Sequence, residues 1–132
     1  MTNARAVWDF ITGDSRRFCD RVELIIATGE EFKRRGIALE FVLLLHSQAT
    51  QFGARTLAGT KFEGRGTADL AAPHAVLRRF SEMGGRIELC GLAMERSAVA
   101  ADNVIPSAVV VHNVIVTLVE LQNRGYAYMQ IA

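Results

Sequence analysis

The chain has 132 residues, of which 50% are hydrophobic and 22% charged, with 15 Lys and Arg against 14 Asp and Glu for a formal charge of +1. That length suits one domain and the apolar content excludes a disordered chain. Balanced charge leaves no general attraction to nucleic acid or to an anionic membrane. Two cysteines are too few for a disulfide framework and fit a reducing, cytoplasmic setting.

Ala4 to Ile11 is rich in β-formers and is followed by Gly13-Asp14-Ser15, which predicts a first strand and then a helix with Asp14 or Ser15 as its N-cap. Phe18, Val22, Ile25, Gly29 and Phe32 then recur at helical spacing, and Gly36 supplies the stop. Ile37 to His46 is a nearly unbroken apolar run, the pattern of a strand covered on both faces. Residues 47–66 lose periodicity and hold Gly53, Gly59, Gly64 and Gly66, so a long loop is expected, with a short helix near Ala49 to Leu57. A helix ending at Met83 places Val76, Leu77, Phe80 and Met83 inward. Arg86 to Cys90 reads as a third strand, Gly91 to Val99 as a short helix and Ala108 to Val111 as a fourth strand. Asn113 caps a helix running to Arg124, with Val114, Ile115, Leu118, Val119 and Gln122 expected inward, and Tyr126 to Ile131 closes the series as a fifth strand.

The apolar stretch Val104 to Leu121 approaches membrane-span length but includes Pro106, His112, Asn113 and Glu120, so it reads as buried strand, turn and helix. Asp9 interrupts the only apolar run before Gly13, and no export signal is expected. Strands alternating with helices imply parallel pairing, because each helix returns the chain to the same edge direction. The expected fold is α/β: a three-layer α/β/α sandwich with a five-stranded, mainly parallel sheet. Ligands in such folds bind beyond the carboxyl ends of the strands, here Gly13-Asp14-Ser15, His46-Ser47, Cys90-Gly91 and His112-Asn113.

Cys90 is the sharpest candidate among these. A helix starting at Gly91 would favour thiolate over thiol, and thiolate is the form that attacks sulfur. The alternative is a buried cysteine acting as a small hydrophobe. Cys19 lies mid-helix and reads as structural. His46 ends the second strand and would tune Cys90 or move a proton if their strands are neighbours. His112 occupies an equivalent end, and His74, in a first helical turn, reads as solvated. No His or Cys spacing suits zinc, so no metal site is expected. Gly13 and Ser15 would either hold an anion on backbone N–H groups or form an ordinary capped turn. No dinucleotide fingerprint or GxxxxGK[ST] loop is present, so no cofactor is expected. Arg55, Lys61 and Arg65 would meet an anionic substrate or acidic partner, or simply face solvent.

Arg86-Ile-Glu-Leu-Cys90-Gly-Leu-Ala-Met, Asn103-Val-Ile-Pro-Ser107 and Leu121-Gln-Asn-Arg-Gly-Tyr-Ala-Tyr128 together resemble the DsrE/DsrF-like (YchN-like) family. Phe41-Val-Leu-Leu-Leu-His46 resembles its second strand, and the likeness covers nearly the whole chain outside the 47–66 loop. The resemblance implies a single domain over residues 1–132 with five parallel strands, the second beside the third. It also implies homo- or hetero-oligomers, often trimers or hexamers. Better-characterised relatives carry sulfur as a persulfide on a cysteine after the third strand, where Cys90 stands. Glu95-Arg96-Ser97 replaces the Arg-Arg-Gly-like stretch that relay subunits carry soon after that cysteine.

These readings converge on a cytoplasmic, oligomeric sulfur carrier, a relay protein rather than a multiple-turnover enzyme, exchanging sulfane sulfur with donor and acceptor proteins. Cys90 would hold the sulfur and His46 would tune it, with Gly13, Ser15, Gly91, His112 and Asn113 as candidate ligand contacts. The other reading is a non-enzymatic oligomeric module of the same fold that binds a small ligand, with Cys90 structural. Mean hydropathy of +0.17 and an apolar C-terminal strand support self-association in either case.

Overall fold

The computed structural model describes residues 1–132. Its elements follow in the order β1 (Asn3–Phe10), α1 (Ser15–Arg34), β2 (Ala38–Leu45), a 3-10 segment (Ser47–Gly53), α2 (Ala71–Glu82), β3 (Arg86–Cys90), α3 (Gly91–Ser97), β4 (Ala108–Val111), α4 (Val114–Asn123) and β5 (Ala127–Ile131). The five strands form one sheet in the order β4-β3-β2-β1-β5, and every adjacent pair is parallel. Phe10 is opposite both Leu45 and Ile131, Leu45 is opposite Leu89, and Cys90 is opposite Val111. All carboxyl ends therefore open at one rim. No helix is long and apolar enough to cross a membrane.

Local chemistry sets the helix limits. The Asp14 carboxylate accepts a hydrogen bond from the Arg17 N–H at 3.0 Å, which satisfies one of the donors left free at the start of α1. At the other end the Ile37 N–H reaches Phe32 O and the Gly36 N–H reaches Lys33 O, both at 3.0 Å. Those bonds require Gly36 at φ +74°, a conformation glycine adopts without steric cost.

The period-two pleat of β1, β2 and β3 divides their side chains between two cores. Trp8, Phe10, Phe41, Leu43, Leu45, Ile87 and Leu89 join Phe18, Val22 and Ile25 of α1 and Val76, Leu77 and Phe80 of α2 in the larger cluster. Phe18 stacks on Phe52 at 4.2 Å between centroids, tying the 3-10 segment to α1. On the other face Val7, Val42, Leu44 and Cys90 meet Val114 and Leu121 of α4. The sheet is thus the middle of three layers.

Three local expectations are corrected. The strand expected to be buried within Val104 to Leu121 is β4, an edge strand whose Val109 and Val110 are exposed. In α4 the buried residues are Val114 and Leu121, with Leu118 packed beside them, while Ile115, Val119 and Gln122 face outward. Apolar side chains surround most of that helix, so helical spacing fitted more than one stripe. His74 is half-buried rather than solvated, and its Nε2–H donates to Ala54 O at 2.9 Å. Burial lowers its pKa from the ordinary 6.5, only partly offset by that backbone contact.

Candidate functional site

At the carboxyl rim α3 touches both cores, with Met94 in the larger one and Leu92 and Ala93 against the smaller one, while α4 joins the smaller core through Val114. Parallel α/β sheets open a crevice beyond the carboxyl ends of their strands. Here it is a cavity of about 800 Å3 bordered by His46, Cys90, Phe62, Arg96, Asn113 and residues around them.

Cys90 is the last residue of β3, directly before α3, and the residue is only 5% exposed. It lies against the smaller core on one side and borders the cavity on the other. Gly91 lets the chain turn there at close quarters. A Cβ at this position would come within 3.1 Å of Val111 O and 3.3 Å of His112 O, and the Leu92 N–H bonds His112 O at 3.0 Å. His46 follows β2 and is succeeded by Ser47 at φ +54°, a left-handed turn that redirects the chain into the 3-10 segment.

His46 is held by a group that helical and strand periodicity did not single out. Asp9 in β1 is 2% exposed. Its Oδ1 accepts from His46 Nε2–H at 2.6 Å and its Oδ2 accepts from the Tyr128 hydroxyl of β5 at 2.8 Å. Burial alone would raise the Asp9 pKa, but the bonds from His46 and Tyr128 outweigh it and hold the carboxyl below its ordinary value. Tyr128 is shifted upward by burial and by its bond to that carboxylate, so it stays the donor. With Nε2–H committed to Asp9, Nδ1 is the His46 nitrogen left to exchange a proton. The detectable signal was an acid inside an apolar strand, where burial demands a partner. Glu88 carries the same signal two residues before Cys90. Its Oε2 accepts from Arg86 Nε at 2.7 Å and its Oε1 has no partner.

Lys61, Arg65 and Arg96 border the same cavity, and no Asp or Glu does. Arg55 is turned elsewhere, with Nε donating to Val104 O at 2.9 Å. Of the remaining candidates, Asn113 borders the cavity while its Oδ1 caps α4 through the Ile115 N–H at 3.0 Å. Gly13, Ser15, Gly91 and His112 are not among its walls. Gly13 instead permits tight packing of the β1–α1 turn on the 3-10 segment, because a Cβ there would lie 2.9 Å from Gln48 Cβ. Cys19 is half-buried in α1 and its thiol is pushed up by burial. No group of three or more His, Cys, Asp or Glu side chains is placed to hold a metal ion.

Comparison with known proteins fits this architecture. An uncharacterized protein of Aquifex aeolicus (strain VF5) is 29% identical over 126 residues, 95% of this chain. The chain spans about half of that relative's length (55%). Among solved structures, a protein of unknown function, MTH1491 from Methanobacterium thermoautotrophicum, superposes with a TM-score of 0.69 at 17% identity, covering 97% of this chain and 99% of that one. The ychN protein from E. coli superposes with a TM-score of 0.66 at 13% identity, covering 98% of this chain and 99% of its own. At such identities the two structures speak for the fold alone. The model of the DsrE/DsrF-like family matches residues 12–131, and the chain belongs to that family.

Proposed function

We propose that this protein is a cytoplasmic sulfur carrier that holds sulfane sulfur as a persulfide on Cys90. The observation that carries the reading is that Cys90 and His46 border one cavity at the carboxyl rim of the sheet, in a chain of the DsrE/DsrF-like family. The Cys90 thiolate attacks the outer sulfur of a persulfide R–S–SH. The new S–S bond forms on Cys90 Sγ, the old one breaks, and its electron pair leaves on R–S⁻. No net oxidation occurs, so no further reactant is needed. His46, oriented through Nε2 by Asp9, takes up the Cys90 proton at Nδ1 and returns it to the departing thiolate. A second transfer of the same kind delivers the sulfur to an acceptor protein.

The chain also exposes Val109, Ile115, Val116, Val119, Tyr128 and Met129. Apolar surface of this kind supports a homo-oligomer, with the trimer or hexamer of the family as the expected states. Ile115 also borders the cavity, so the oligomer would reach the site's edge.

Intact-mass spectrometry after incubation with a persulfide donor tests the carrier role. Wild type should gain the mass of one sulfur atom, Cys90→Ser none, and His46→Ala should gain it more slowly. Wild type that takes up no sulfur on Cys90 overturns the reading. The 5% exposure of Cys90 favours a second one, a non-enzymatic ligand-binding module with Cys90 structural. In that case Cys90 stays unmodified and Cys90→Ser keeps the ligand-induced shift in melting temperature.

A further inference from the structure

We propose that sulfur reaches Cys90 on a small, multiply charged anion: a low-molecular-weight persulfide bearing carboxylates, bound by Lys61, Arg65 and Arg96. This inference rests on the sulfur-carrier reading for the role of the ligand, and on the cavity alone for its charge and size.

The charge argument starts from the whole chain, which is almost neutral, with 15 cations against 14 acids. A cavity wall with three charged side chains drawn at random from such a surface would hold only cations about one time in eight. This one has three side-chain cations and no carboxylate. None of the three takes part in an ion pair within the chain. They also come from two separate elements, Lys61 and Arg65 from the loop between the 3-10 segment and α2, and Arg96 from α3. The Lys61 N–H bonds Ser97 O at 2.9 Å and thereby holds the loop on α3, and Phe62 is buried beneath it. The cations are thus gathered by the fold rather than scattered along a free strand of chain.

Size points to a small molecule. A volume of about 800 Å3 lies in the range of small-ligand sites. Ser97 and Asn113 add polar groups to the wall, and Leu92 and Ile115 add apolar surface for a short carbon skeleton. Two arginines suit carboxylates because the guanidinium fork matches their geometry. Cations at this position also stabilise the R–S⁻ group that transfer releases.

The test is calorimetric titration of reduced wild-type protein with mercaptosuccinate, a dianionic thiol, and with its neutral diamide, which has the same shape. Each exposed cation is worth about a factor of two, so the three together predict a preference of about eightfold for the dianion. The preference should fall to about unity in Lys61→Gln/Arg65→Gln/Arg96→Gln and should weaken as salt rises. Those side chains make no hydrogen bond in the fold, and melting of the triple variant checks that it stays folded. Equal affinities for the two thiols, or binding of neither, overturn the proposal, including where Cys90 still takes sulfur from a protein-borne persulfide. Failure of the carrier reading appears separately, as absent sulfur uptake by Cys90 with the dianion still preferred.

Discussion

Replacing Asp9 by Asn isolates the group that orients His46. The change keeps the shape of a side chain that is almost wholly buried but removes its charge. The carboxylate accepts two bonds, at 2.6 Å from His46 and 2.8 Å from Tyr128, and bonds to a charged group contribute about 1.5–3 kcal/mol each. Desolvation takes back several kcal/mol, and an amide recovers part of the bonding through its own oxygen, so the expected loss is about 2 kcal/mol at pH 7. For a chain of this size that lowers Tm by about 6 °C. The pH dependence follows from the depressed Asp9 pKa. Below its ordinary value of 3.8 the unfolded chain takes up a proton that the native carboxyl still refuses. Wild type therefore holds this stabilisation in full above about pH 5 and loses it as pH falls through the native value. Urea unfolding at pH 7 and near pH 3 reads both effects: the gap between wild type and Asp9→Asn should be widest at pH 7 and narrow in acid. A variant as stable as wild type at pH 7, or a gap unchanged by pH, would refute the account of Asp9 as a charged anchor.

Ala98 ends α3 at φ +56°, with the Val99 N–H bonded to Met94 O at 2.9 Å, a cap position that favours glycine. Ala98→Gly should raise stability by about 0.5–1 kcal/mol in urea unfolding, and a loss would show that the methyl group contributes packing. Val119 is more than half exposed on α4. Val119→Glu should shift the species seen by light scattering from oligomer to monomer while leaving the far-ultraviolet circular dichroism unchanged. A monomeric wild type would remove the premise.

Much of the architecture was legible because it rests on local rules. Asp14 and Asn113 cap their helices as their residue types predict. Gly36 stops α1 because only the left-handed region closes that turn cheaply. The run Phe41 to Leu45 reads as a strand covered on both faces because Phe41, Leu43 and Leu45 enter the core under α1 and α2 while Val42 and Leu44 enter the core under α4. Where a helix is apolar nearly all round, as in α4, the same rules fell silent, because period alone cannot choose between equivalent stripes.

The site divides along the same line. Cys90 and His46 stand out in the sequence, since Cys90 ends β3, His46 directly follows β2, and parallel strands bring their ends to one rim. The Asp9 anchor of His46 depends on contacts across 37 and 119 residues, Asp9 to His46 and Asp9 to Tyr128, which no local pattern encodes. The same holds for the cations: Arg55, Lys61 and Arg65 look alike along the chain, yet Arg55 is tied to the Val104 carbonyl and Arg96 takes a place on the cavity wall. Backbone propensity and apolar spacing act over a few residues, so the chain's own order determines its elements and their parallel arrangement. Which charges end up facing one another is decided only when the sheet assembles and excludes water around them.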